Sequence, residues 1–337
     1  MRRRHIYRFS VVLAAGLAAA GLAACSSSNS STAASGAATS LGPGGSTITL
    51  DARLSADSPP MWIAEQDGFF KQEGLTVNVS FPASTSAEFA GLAAHTVDFA
   101  QAAYVNVFAE EKTNPKIDMR IVAPDDQTAP NTNVIMVPQK SSVKSVPDLK
   151  GKVIAFSSPG VSLASLALDE QLKGYGLSPK SYTEDTLGYP AMTEPLERGQ
   201  IGAAFSIQPY ITQMESQIGA HELIDLMTGP MLNFPQLGWV TTSSYAQQHP
   251  ATVAAFQRAI AKAQQVAASD PALVRKLLAE KVSGVTPQLA NILPLPTYPA
   301  TVNLAGMQRV TTVMEQFGVL PANFDVQSML ISAPSGS

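Results

Sequence analysis

The sequence predicts an α/β fold of two similar lobes with a helical C-terminal part. Three observations carry this. The chain has 337 residues, which is long for one domain. Apolar residues make up 45% of it and charged residues 14%, so it can fill sizeable cores. Strand-like and helix-like patterns alternate with short loops, which favours largely parallel sheets.

The elements follow in order. Thr47–Leu54 alternates and reads as a strand. Pro59-Pro60 suits the first turn of a helix, carried on by the apolar residues of Met61–Lys71 and stopped by Gly74. Thr76–Phe81 is a strand, and Thr85-x-x-Glu88 is a capping box opening a helix through Ala94. Val97–Ala100 is a strand, Val105–Lys112 a helix, and Met119–Ala123 and Asn133–Val137 strands. Ser145-x-x-Asp148 is a second capping box before the strand Lys152–Phe156. Ser162–Tyr175 reads as helix, Tyr182–Thr186 as strand, Ala191–Arg198 as helix and Ile201–Ser206 as strand. Pro209–Gln217 is a helix and Leu237–Thr242 a strand. Pro250–Ser269, Asp270–Lys281 and Thr301–Phe317 are helices.

The chain echoes itself at an offset near 100 residues. Ser58-Pro59 before a helix returns as Ser158-Pro159, and His95-Thr96-Val97-Asp98 before a strand returns as Gly199-Gln200-Ile201-Gly202. This divides the chain into one lobe of residues 47–135 and 240–337 and another of residues 136–239. The joins fall near Val134–Pro138 and Leu237–Thr242, and the C-terminal helices return to the first lobe. One long doubly wound sheet also fits the pattern.

Composition excludes several functions. With 22 basic and 26 acidic residues the net charge is −4, against a nucleic-acid partner. One cysteine, Cys25, permits no internal disulfide and no two-thiolate metal site. His221-Glu222-Leu223-Ile224-Asp225 lacks the second histidine of a helical zinc site. There is no dinucleotide fingerprint, phosphate loop or nucleophile elbow. No metal and no cofactor is expected.

The first 46 residues read as an address. Arg2, Arg3, Arg4 and Arg8 precede an apolar stretch over residues 11–23, short for a bilayer-spanning helix. Leu22-Ala23-Ala24-Cys25 resembles the lipobox of bacterial lipoproteins. Residues 1–24 are then a lipoprotein signal peptide, and Cys25 is the lipidated first residue of the mature chain. Residues 25–46, rich in Ser, Ala and Gly, form a flexible tether. Cleavage leaves 18 of the 22 basic residues against 26 acids, a net charge of −8. The expected location is extracytoplasmic, lipid-anchored to the cell membrane.

The stretch from Ala64 to Val77, AEQDGFFKQEGLTV, resembles a segment of ABC-transporter solute-binding proteins of the nitrate/sulfonate/taurine, NMT1/THI5-like family. Val146–Ala155 (VPDLKGKVIA) and Tyr245–Pro250 before a long helix agree, so the resemblance runs from about residue 47 to 320. His95 and Gly202 depart from the family's G-x-V-D pattern, at the start of a strand in each lobe. The resemblance implies a type II periplasmic-binding-protein-like fold with a cleft between the lobes. It implies a monomer that captures a small organic solute by lobe closure and delivers it to an ABC permease. The alternative is an enzyme on the same fold. The THI5-like pyrimidine synthases use a lysine-bound cofactor, an active-site histidine and a cysteine-rich motif, and the last is missing here.

In such a binder the site lies on the loops that follow the strands. Those loops hold Arg53, Ser58, Trp62, Ser84, Thr85, Ser86 and Tyr104 in the first lobe. In the second they hold Ser158, Gly160, Ser162, Tyr189, Gln208 and Tyr210, with Asn133 at the crossover. The serines and threonines either present polar groups at helix starts or simply cap them. Trp62, Tyr104, Tyr189, Tyr210 and Trp239 either sandwich a flat ligand or pack in a core, for Trp239 at the hinge. Asn133 reaches the cleft or caps a turn. Arg53 either forks an anionic ligand group or pairs with Asp51. Asp57, Asp125 and Asp126 pull against an anion, which favours an organic ring over bare nitrate. Pyrimidine-like, flavin-like and aromatic-sulfonate ligands all remain open.

Overall fold

The first sheet opens with the alternating strand β1 (Ser46–Asp51), which sends Ile48 and Leu50 into the core. The structure is a computed structural model that describes Leu41, residues 45–82 and residues 84–333. The expected signal peptide, Cys25 and nearly all of the expected tether lie outside the described residues. Helix α1 (Pro59–Gln66) starts on its two prolines, as expected. It does not run to Lys71: Gly68, at φ +71°, turns the chain into the separate short helix α2 (Phe69–Gln72). Strand β2 (Leu75–Ser80) pairs parallel with β1.

Helix α3 (Thr85–Ala93) is capped by Ser84, which accepts from the Ala87 N–H. The Thr85-x-x-Glu88 box is not formed, because both side chains turn to Arg53 instead. Strand β3 (Phe99–Ala103), helix α4 (Tyr104–Thr113) and strand β4 (Met119–Gln127) follow. The chain then enters a second sheet through β5 (Asn133–Val137), β6 (Val153–Phe156) and α5 (Leu163–Lys173). It continues with β7 (Thr183–Thr186), α6 (Tyr189–Glu197), β8 (Ala203–Ile207), α7 (Tyr210–Ile218) and β9 (His221–Asp225). Strand β10 (Pro235–Thr242) returns to the first sheet.

The strand orders are β2-β1-β3-β10-β4 and β7-β6-β8-β5-β9, so two sheets replace the single doubly wound sheet. Both repeat one plan: three parallel strands and an antiparallel fourth, completed by a fifth. The chain changes sheets between Gln127 and Asn133 and again between Asp225 and Pro235. Residues 133–135 therefore belong to the second sheet and Pro235–Trp239 to the first, earlier than the joins read from the sequence. Thr128, wholly buried, ties the two crossings, donating to Met231 O at 3.1 Å and accepting from Phe234 N at 2.9 Å.

Six-residue α8 (Ser243–Gln248) leads into α9 (Pro250–Ser269) and α10 (Pro271–Lys281). These cover the first sheet in one core with α1, where Phe256 stacks on Phe99 at 4.2 Å. Then come α11 (Pro287–Ile292) and α12 (Leu304–Gln316). Strand β9 and helix α11 have no counterpart in the sequence reading: β9 is a half-exposed polar edge strand, and α11 has only six residues. Helix α12 does not stay with the first lobe. Met307, Val310 and Met314 share a core with Phe108 of α4 and Leu168 of α5, so it packs across both lobes.

Candidate functional site in the interlobe cleft

Strand direction places the site. Strands β1, β3 and β4 end on one edge of the first sheet, where antiparallel β10 begins. Strands β6, β7 and β8 end on one edge of the second, where β5 begins. A pocket of about 30 Å³ lies where these edges meet. Ser55, Ala56, Asp57 and Gln236 line it from the first lobe, Thr132, Asn133, Ile207 and Gln208 from the second, and Pro294 and Pro296 from the C-terminal segment.

Gln101, in the middle of β3 and wholly buried, organises the first-lobe side. Its carbonyl accepts from the Arg53 N–H at 2.8 Å and from Ser58 Oγ at 3.3 Å, while its amide donates to Asp125. Ser58 also donates to the Arg53 carbonyl, which closes the loop after β1. Tyr298 holds the same loop from outside, donating to Ala56 O at 2.6 Å. The loop thereby presents Asp57 to the cleft.

Gln236 carries the network across the cleft. Its amide donates to Asp126 Oδ2 at 3.1 Å and Asp57 Oδ1 at 3.4 Å, and its carbonyl accepts from Asn133 Nδ2 at 3.4 Å. Asp125 and Asp126 are buried, and burial, with Asp57 close by, pushes both carboxyls well above the usual carboxylate range. Gln101 opposes the rise at Asp125, and the Leu237 N–H, donating at 3.0 Å, opposes it at Asp126. One oxygen of Asp125, the indole N–H of Trp239 and the hydroxyl of Tyr104 are buried without partners.

The cleft's second wall is aromatic. Tyr189 and Tyr210 stack with their centroids 5.0 Å apart and their planes 15° from parallel. Burial pushes the Tyr189 hydroxyl up to about 12, partly offset by Ser157 and by Arg53 of the opposite lobe. Both rings begin helices that follow cleft-side strand ends, Tyr189 in α6 after β7 and Tyr210 in α7 after β8.

Several expected residues gather here: Arg53, Ser58, Asn133, Tyr189, Gln208 and Tyr210. Arg53 pairs with Glu88 at 3.3 Å and Thr85 at 3.1 Å, not with Asp51, whose carboxylate takes the Ser80 hydroxyl. Burial pushes Glu88 up, and Arg53 opposes this. Other candidates do different work. Trp62 is buried in the core against the C-terminal helices, because α1 turns that face inward. Tyr104 is buried at the start of α4, its hydroxyl over Gly238. Ser84 caps α3, and Ser162 caps α5 in a reciprocal box with Ser165. Ser86, Ser158 and Gly160 are exposed.

Gln101 and Gln236 escaped the sequence reading, since a buried glutamine in a strand carries no motif. Asp57, Asp125 and Asp126 were visible as charges, and the consecutive acids ending an apolar strand were the available signal. A larger pocket of about 320 Å³ lies away from the cleft, between β4, α9 and the C-terminal segment. Gln257 fills its floor, donating to Val122 O at 2.8 Å.

Two α/β lobes crossed by paired segments, with a polar cleft between their strand ends, make this a periplasmic-binding-protein fold. The alkanesulfonate-binding protein SsuA from Xanthomonas axonopodis pv. citri, solved bound to MOPS, superposes with a TM-score of 0.70 at 20% identity. The match covers 87% of this chain and all of that one. The chain belongs to the NMT1/THI5-like family, whose model matches residues 55–273. The taurine-binding periplasmic protein of Escherichia coli K12 is 25% identical over 228 residues, 66% of this chain and 67% of that protein. The 4-amino-5-hydroxymethyl-2-methylpyrimidine phosphate synthase THI13 of Saccharomyces cerevisiae is 23% identical over 255 residues, 71% and 70% of the two chains. Among the described residues, no helix is long and apolar enough to cross a membrane.

Proposed function

We propose that this chain is an extracytoplasmic substrate-binding lipoprotein of an ABC importer. It captures a small organic solute between its lobes and hands it to a membrane permease. The observation that carries the reading is the cleft network, in which Asn133 of the second sheet reaches Asp126 of the first sheet and Asp57 on the loop after β1 through Gln236. A ligand replacing such a bridge contacts both lobes only when they are closed, so it stabilises closure. The present pocket of about 30 Å³ admits water but no organic solute, so loading requires the lobes to part. The taurine-binding relative supports the reading. Cys25 holds the mature chain to the membrane, and the chain acts as a monomer.

The match to the pyrimidine synthase favours an enzyme as the second reading. Against it, the pocket's described lining contains no histidine, lysine or cysteine to hold a cofactor or move a proton. A thermal-shift screen of the full chain with pyrimidines, flavins, sulfonates, carboxylates and nitrate tests the binding reading. A solute at about 100 times its Kd adds roughly 2.7 kcal/mol and raises the melting temperature by several degrees. A solute that is instead converted to product establishes the enzyme.

A further inference from the structure

We propose that the cleft recognises an organic cation, a protonated amine or amidine on a flat or apolar body, and not an oxyanion. The inference rests on the binding reading above and names the class of its ligand.

The basic side of the cleft stands off the pocket: Arg53 does not line it and its Nη2 is engaged, although its Nε is buried without a partner. Arg53 is held by Thr85 and by Glu88, a carboxylate that is 2% exposed. Turning Arg53 toward an anionic ligand would strand that buried acid. None of the described residues lining the pocket is Arg or Lys. The acidic side, by contrast, reaches the pocket itself. Asp57 lines the pocket with Asp126 behind it, bridged by one Gln236 amide group. Asp125, wholly buried behind them, takes the Gln101 amide and faces the Trp239 indole, so it adds acidic character without offering a contact of its own. An N–H donor entering beside Asp57 displaces the Gln236 amide and meets a carboxylate. An oxyanion entering there meets three acids. Among the described residues no metal-ligating group of His, Cys, Asp and Glu assembles, so the cation that fits is organic.

The remaining walls give the rest of the ligand. The stacked Tyr189–Tyr210 pair offers π-faces to a flat cation. Leu54 after β1, Phe81 after β2 and Val161 before α5 are exposed large apolar side chains at the cleft-side ends of strands in both lobes. Exposed apolar side chains after those strand ends, with Asp57 in the pocket, suit a charged nitrogen on a hydrophobic body.

The test titrates the full chain with size-matched probes: benzamidine and benzylamine against benzenesulfonate, benzoate and taurine. Calorimetry on wild type and Asp57→Asn, with circular dichroism as the folding control, gives the readout. The expected result is binding of a cationic probe, weakened at least tenfold in Asp57→Asn, with the anions silent. Binding of an anionic probe that is unchanged or tightened in Asp57→Asn overturns the charge assignment and leaves the solute-binding reading standing. If every probe is silent, denaturing mass spectrometry of the purified chain decides. A co-purified nitrogen base supports the proposal, and a co-purified sulfonate or carboxylate without a basic nitrogen overturns it. With no probe bound and no co-purified molecule, the binding reading falls together with the proposal.

Discussion

Gly238 and Tyr104 are made for each other. A side chain at Gly238 would land on the Tyr104 hydroxyl, so this position of β10 accepts no Cβ without moving the ring. Gly238→Ala should cost about 1–3 kcal/mol by overpacking, read from the midpoint of a denaturant transition. Tyr104→Phe should cost little, because the lost hydroxyl has no partner. His95 is the reverse case. It stands at φ +56° where its counterpart in the second lobe is Gly199 at φ +69°. His95→Gly should relieve strain and gain up to about 1 kcal/mol in the same measurement. The departure from the family pattern was plain in the sequence. The backbone places it in the left-handed region at a turn before a strand, away from the cleft.

At the scale of elements, the segment that resembles the family works as a clamp. Glu73 follows α2 and accepts from Arg258 Nε at 2.7 Å and Lys262 Nζ at 2.8 Å, both on α9. Burial pulls its carboxyl up, but the two cations outweigh that and hold it below the ordinary value. Glu73→Ala should loosen α2 from α9 without touching the cleft, seen as faster amide exchange in both helices. This is why the fold was legible in the sequence and the site largely was not. Gly68, Glu73 and Gly74 hold elements together, so they stand as one contiguous motif. Gln101, Asp126, Asn133 and Gln236 come from four different strands and meet only after folding. A local rule failed where a side chain found a better partner: the helix read from Thr85 forms, but its capping box does not, because Glu88 turns to Arg53.

Helix α5 carries a further test. Burial pushes Asp169 up to about 7, although Tyr182 donates to it at 3.1 Å. An unfolded Asp titrates near pH 3.9, so between about pH 4 and 7 the native chain binds the additional proton. Stability therefore falls as pH rises through that window and levels off above it. Asp169→Asn should flatten the slope between pH 4.5 and 7.5. Asp125 and Asp126, also raised by burial, contribute in the same direction and leave a residual slope.

On the scale of the whole molecule, the two sheets are alike in plan and joined by crossings at residues 128–132 and 226–234, with α12 packed across both lobes. The repeat near 100 residues made the lobes readable from sequence. The exact crossings were not, because Asn133 and Pro235 begin apolar strands that either sheet could have taken. Beyond the described residues, the proposed lipid anchor has its own outcome: Cys25→Ala should release the chain from membranes into the medium with ligand affinity unchanged.

The central claim is that a small solute binds between the lobes. Its most direct test is the thermal-shift screen of the full chain run beside the Tyr189→Ala/Tyr210→Ala double variant. The account predicts that one chemical class raises the wild-type melting temperature by several degrees and that the double variant, folded by circular dichroism, loses the shift. An undiminished shift in the double variant would contradict it and move the site out of the cleft.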